Sequence, residues 1–252
     1  MTNPRRIAGD VALGFAGILV VCVAWEVTGR YKLAGPSWPA LSAVIGLLID
    51  PAQRPAVMRA TTASFSRAAA GCALGTALGI GFGAMAHMTT ALRPGLDRLI
   101  STINAVPAIA LAPLFILLLS REYTGMAIAT LSVFYITYVA TTSGLSSSSA
   151  SHRDFFKAFG SSKFLQLIYL DLPAAFPVLV GGLKYAVPAA LLGAILGEWF
   201  GSSRGLGLMM ISAMQNFQIQ LLWGAMLITA LGAMIAFGLL SLGEAILRGR
   251  FE

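Results

Sequence analysis

Apolar residues gather along this chain into six long runs, at about 8–27, 65–87, 100–119, 125–143, 177–197 and 222–246. A helix of roughly 20 apolar residues crosses a bilayer, and each run comes close to that length. No segment has the ten-residue alternation of an outer-membrane barrel, so backbone groups placed in hydrocarbon must be satisfied within helices. The pattern predicts an all-α polytopic membrane protein with about six transmembrane helices.

Composition sharpens this. Hydrophobic residues make up 57% of the 252 and charged ones 11%, against roughly a quarter charged in soluble domains, which excludes an ordinary water-soluble domain. The formal charge of +7 could point to nucleic acid, but the 17 basic residues are scattered among loops. They read as anchors for lipid headgroups in the bilayer, with no nucleic-acid partner. Cys22 and Cys72 fall inside spans, where packing is expected and neither a disulfide nor a metal site is implied. The first run follows Arg5 and Arg6, yet "CVA" before Trp25 is a poor cleavage site, so a retained helix is expected.

Six spans put both termini on one side. With that side cytoplasmic, segments 1–7, 88–99, 144–176 and 247–252 carry nine Lys/Arg, a weak positive-inside bias. Segment 29–60 then lies outside and holds an apolar, proline-bounded centre of about a dozen residues, too short to span. It predicts a helix in the outer interface with Trp38 at headgroup depth. The chain divides into residues 1–55, a transmembrane helix plus this interfacial helix, and a core of residues 56–252.

Several positions within the spans stand out. Gly71, Gly75, Gly79 and Gly83 recur every four residues on one helical face. Such a face serves either close static packing or the sliding of a neighbouring helix. Asn104, Pro107 and Pro113 mark a run that should be kinked or interrupted, and a broken helix at membrane depth often lines a pathway. Lys184 either snorkels to the interface or receives an anion near the inner mouth. Glu26 and Glu198 read as solvated or packed on loop groups at external span ends. Met209, Met210 and Met214 follow "GSSRGLGL" in a re-entrant-looking external stretch, as an adaptable plug or as ordinary packing.

One segment breaks the apolar rhythm: "SHRDFFKAFGSSKFLQLIYLDLPAAFP", residues 151–177. Ser151 and Asp154 have capping-box spacing, which predicts a helix from His152 to Phe159. Gly160 is the natural left-handed stop. Ser161 or Ser162 caps a second helix to about Leu170, and Pro173 opposes its continuation. A helix of about eight residues is unstable alone and must dock on something. Phe155, Phe156 and Phe159 bury either against the chain's own helices and lipid or in a groove on a cytoplasmic partner.

The spacing from Asp154 through Gly160 to Leu172 and Pro173 resembles the "EAA" loop of binding-protein-dependent ABC importer permeases. Asp154 stands where that loop has Glu, and Phe155 and Phe156 where it has two alanines, a departure from the family pattern. "SFSRAAAGCALGTALGIGFG", "NAVPAIALAPLFILLL", "LPAAFPVLVGGLKYAVPAA" and "GEWFGSSRGLGLMM" extend the likeness to the nitrate, sulfonate and taurine permeases over roughly residues 56–250. The resemblance implies a type I ABC importer permease fold in the bacterial cytoplasmic (inner) membrane. It also implies a second permease subunit, identical or paralogous, and an external substrate-binding protein. Two ABC ATPase subunits would dock on loop 151–173 through Asp154, Phe155, Phe156, Phe159, Gly160 and Ser161. ATP and Mg would belong to those partners.

No GxxxxGK[ST] occurs, so the chain has no phosphate cradle of that kind. His87 and His152 are expected at or beyond the cytoplasmic edge, solvated or interfacial, not as metal ligands. No catalytic constellation is visible, and no cofactor is expected in the chain itself. A permease for a small, anionic solute is the reading. A secondary transporter or channel is the alternative, and it would require an internal repeat and paired intramembrane charges.

Overall fold

The computed structural model describes the backbone of residues 4–251 and the side chains of residues 12–246. The basic flanks at Arg5, Arg6, Arg248 and Arg250 lie outside the described side chains. The elements are helices α1 (Pro4–Arg30), α2 (Leu41–Ile49), α3 (Arg54–Met88), α4 (Arg93–Ala105), α5 (Ala112–Leu118), α6 (Arg121–Leu145), α7 (Ala150–Ala158), α8 (Lys163–Gln166), α9 (Leu172–Glu198), α10 (Leu206–Gln215) and α11 (Ile219–Phe251). Among the described residues, five helical stretches are long and apolar enough to cross a membrane, and a sixth span exists if the bent pair Arg93–Ala105 and Ala108–Leu118 counts as one. That pair turns by 85° where Pro107 removes a donor. Pro113 causes no second break, because it sits in the first turn of α5, where its missing N–H is not needed.

The contacts divide the chain into two compact units. The first comprises Met1–Met58 and Met209–Leu227. The short apolar helix expected within segment 29–60 is there as α2. Trp38, expected at headgroup depth, packs its ring 6.1 Å from Trp25 and 4.6 Å from Trp223. Trp25 and Trp223 donate to the carbonyls of Pro39 and Ser37. Glu26, expected to be solvated or loop-packed, accepts from the amide and hydroxyl of Ser42 at 2.9 and 2.8 Å. Met210 is buried, Met209 half-buried and Met214 exposed.

The second unit comprises Arg59–Leu208 and Ile228–Glu252, and α6 is its axis. Gly71, Gly75, Gly79 and Gly83 of α3 are all buried against α6. A methyl added at Gly75 would stand 2.7 Å from the Val133 Cβ, so only a bare backbone permits this approach. α9 packs on an adjoining face of α6, with Gly193 against Ala129 and Gly182 against Ala140. The buried threonines of α6 send their hydroxyls back to carbonyls four residues earlier, Thr137 to Val133 and Thr141 to Thr137. Each of these hydroxyls thereby has an acceptor within its own helix.

Candidate functional site

The sequence interruption folds as an elbow. Ser149, two residues before the expected cap, accepts the His152 amide and starts α7. The capping box is not formed: Asp154 is exposed and lies 3.6 Å from Lys157. Ser149 wins because the chain turns extended there (ψ 148°), leaving Ser151 already helical. Gly160 closes the helix at φ +68°, as a left-handed residue should. Ser162 caps α8 through the Leu165 amide, while Ser161 lies in the turn.

Beyond α8 the chain does not break at Pro173. A π-helical turn, Leu167–Asp171, leads directly into α9, and Pro173 occupies its first turn. The wider turn accommodates a residue that lacks an N–H, so the helical path runs from Lys163 to Glu198 without interruption.

Phe155 and Phe159 have their rings 4.6 Å apart and are 59% and 74% exposed, and Phe156 packs beside Phe155 at 6.3 Å, half-buried. The opposite face of α7 is tied down. Arg153 donates to the Ser146 carbonyl at 2.7 Å and to the Ser148 hydroxyl at 2.6 Å. Its Nε also lies 4.0 Å from Asp171.

Asp171 is 1% exposed and collects the tethers. Its carboxylate accepts from the Ser148 hydroxyl at 2.7 Å, from His87 Nε2 at 2.9 Å and, more weakly, from Gln166 at 3.4 Å. A carboxylate can only accept, so Nε2 of His87 carries the hydrogen. His87 is therefore not a solvated edge residue but a strut between the end of α3 and the π-turn. His152, as expected, is exposed; its ring meets Ser149 at 2.7 Å.

A second polar cluster lies at the other end of α6. Glu198 is fully buried and accepts from Ser64 at 2.7 and 2.9 Å, from Arg67 at 2.9 Å and from the Gly207 amide at 2.9 Å. Arg67 also reaches Glu122 at 2.8 Å and the Arg204 carbonyl at 2.6 Å. Of the two readings offered for Glu198, solvated or packed on loop groups, it is the packed one, at the centre of a buried network. Lys184 neither snorkels nor waits for an anion, because its Nζ rests 2.7 Å from Glu244 of α11. Asn104, Pro107 and Pro113 are exposed. Among the described residues no group of His, Cys, Asp and Glu could hold a metal.

Apolar spanning helices, one of them broken, joined by an exposed and internally braced helix–glycine–helix elbow, define a multi-pass membrane transport subunit. The chain belongs to the family of binding-protein-dependent transport system inner membrane components, whose model matches residues 75–249; it is an ABC transporter permease subunit. It is 34% identical over 164 residues to a probable ABC transporter permease protein of Haemophilus influenzae, covering 62% of this chain and 65%, just under two thirds, of that protein. It is 28% identical to the formylaminopyrimidine transport permease protein ThiX of Halalkalibacterium halodurans, covering 91% of this chain and 92% of that one. Among solved structures, a chain of the inward-facing MetNI methionine ABC transporter superposes with a TM-score of 0.67 at 13% identity, covering 79% of this chain and 99% of the other.

Proposed function

We propose that this subunit forms the transmembrane pathway of a binding-protein-dependent ABC importer for a small, anionic solute in the bacterial inner membrane. A second permease subunit completes the pathway, an external binding protein delivers the solute, and ATPase subunits that bind ATP and Mg dock on the elbow. The observation that supports this most directly is the exposure of Phe155 and Phe159 on a helix whose other face is tethered. Two large apolar rings held out on a rigid stub are anchors in need of a pocket. The excess of basic residues favours an anion; Lys184 does not, since Glu244 already neutralises it.

Co-purification with the ATPase tests the docking role. Phe155→Ala with Phe159→Ala should abolish it while leaving the permease folded and membrane-inserted; retained association would refute the assignment. The buried pairs Arg67–Glu198 and Lys184–Glu244 would also suit a secondary transporter. Solute uptake that persists in ATP-depleted vesicles would favour that reading.

A further inference from the structure

At the end of α6 remote from the elbow, a cavity of about 630 Å³ opens beside the Glu198 network. Arg59, Ser66 and Arg67 of α3 line it, with Glu122 and Tyr123 from the start of α6 and Arg204 from the loop before α10. Arg67 is committed to Glu198 and Glu122. Glu122 is committed too, to Arg67 and to the Ser203 amide at 3.3 Å. The guanidinium groups of Arg59 and Arg204 form no ion pair and no side-chain hydrogen bond among the described residues. Three guanidiniums therefore face two carboxylates that are already paired, which leaves one positive charge in excess and two unused planar donor forks. Such forks match the geometry of an oxyanion. Tyr123, itself 57% exposed, and Met126 supply an apolar flank beside them.

We infer that this cavity binds the oxyanion head of a small amphiphile, a sulfonate, carboxylate or phosphate gripped by Arg59 and Arg204, with the body of the molecule against Tyr123 and Met126. The inference rests on the proposed function only for which side of the membrane the cavity faces. α6 has 25 residues, so its ends lie roughly 37 Å apart. If the elbow is cytosolic, the cavity opens outward, where a solute released by a binding protein first meets the chain. The phosphate of an anionic outer-leaflet lipid has the same chemistry.

The full-length chain in phosphatidylcholine nanodiscs, titrated with sodium methanesulfonate against sodium chloride at equal ionic strength, distinguishes the sources when thermal stability is followed. Saturable stabilisation by the sulfonate alone is expected, weakened about tenfold or more by Arg59→Gln with Arg204→Gln. Arg59→Gln alone, at an exposed position without a bonding partner, guards against a folding defect and should weaken it several-fold. In a parallel arm, native mass spectrometry counts phosphatidylglycerol retained by both forms from mixed nanodiscs. Lipid retention that depends on the two arginines, with no sulfonate effect, assigns the cavity to a headgroup. If neither ligand depends on them, the inference fails. ATPase co-purification with the unmodified chain is scored separately: its loss would sink the importer reading and leave the binding result standing.

Discussion

Replacing Asp171 should uncouple the elbow from the bundle. The carboxylate is 1% exposed and takes hydrogen bonds from α3 through His87, from the α6–α7 connection through Ser148 and from α8 through Gln166, with Arg153 of α7 at 4.0 Å. Asp171→Ala leaves these part-buried donors without their shared acceptor. Each donor left without its acceptor costs about 1–3 kcal/mol, and with the three hydrogen bonds lost together a total of about 3–5 kcal/mol is expected. For a chain of this size each kcal/mol corresponds to about 2–4 °C, so the melting temperature should fall by about 6–20 °C. Asp171→Asn keeps one acceptor but presents an NH2 to a donor, and should lose about half as much. The informative assay is the assembled transporter in liposomes, scored for solute moved per ATP hydrolysed. Phe155 and Phe159 are untouched, so the ATPase should remain bound and active while solute per ATP falls. A stable, fully coupled Asp171→Ala transporter would refute the bracing role; a less stable but fully coupled one would reduce Asp171 to a fold residue.

Two further outcomes follow from packing and charge. Gly75→Leu should separate α3 from α6, since even a Cβ would meet Val133 at 2.7 Å; overpacking costs about 1–3 kcal/mol or more and should appear as loss of the monodisperse peak in size-exclusion chromatography. Gly81→Leu, on an open face of the same helix, should change nothing. Lys184→Met removes the ammonium that lies 2.7 Å from Glu244 and should cost about 3–5 kcal/mol by thermal unfolding, whereas Lys184→Met with Glu244→Met should recover most of it; equal single and double losses would show that the pair is not the source.

Span positions were legible because burial in lipid writes itself into composition: five of the expected runs are single spanning stretches and the proline-marked run is the broken one. The elbow was legible through its punctuation, since Gly160 and Ser162 act locally. Its start was misplaced because Ser149 and Ser151 have equal capping chemistry, and the choice between them depends on where the chain leaves α6. The path past Pro173 was hidden because a π-turn has no composition of its own. The charged network was least visible. Glu198 lies 131 positions from Arg67, and Glu244 lies 60 from Lys184, so no window of sequence contains both partners. Taken alone, Glu198 reads as an end residue and Lys184 as a snorkelling or anion-receiving one, and only the packed bundle shows that each is paired within.

That network bears on what the glycine face of α3 does. Gly71, Gly75, Gly79 and Gly83 meet Ala129, Val133, Thr137 and Thr141 in step, so the two helices run parallel with matching four-residue ridges. Smooth glycines by themselves would allow sliding. The Thr137 hydroxyl, however, reaches across to the Gly75 carbonyl at 3.1 Å. The pair is also fastened at both ends, by Arg67 to Glu122 at one and, through His87 and Asp171, to the elbow at the other. A slide of even half a turn would break all three, two of them at groups that are wholly or largely buried. The geometry therefore favours static packing, with α3 and α6 moving as one body. On that reading, a pull on the elbow tilts the rod as a lever instead of shearing it, and the arginine-lined cavity at the far end of α6 swings with it.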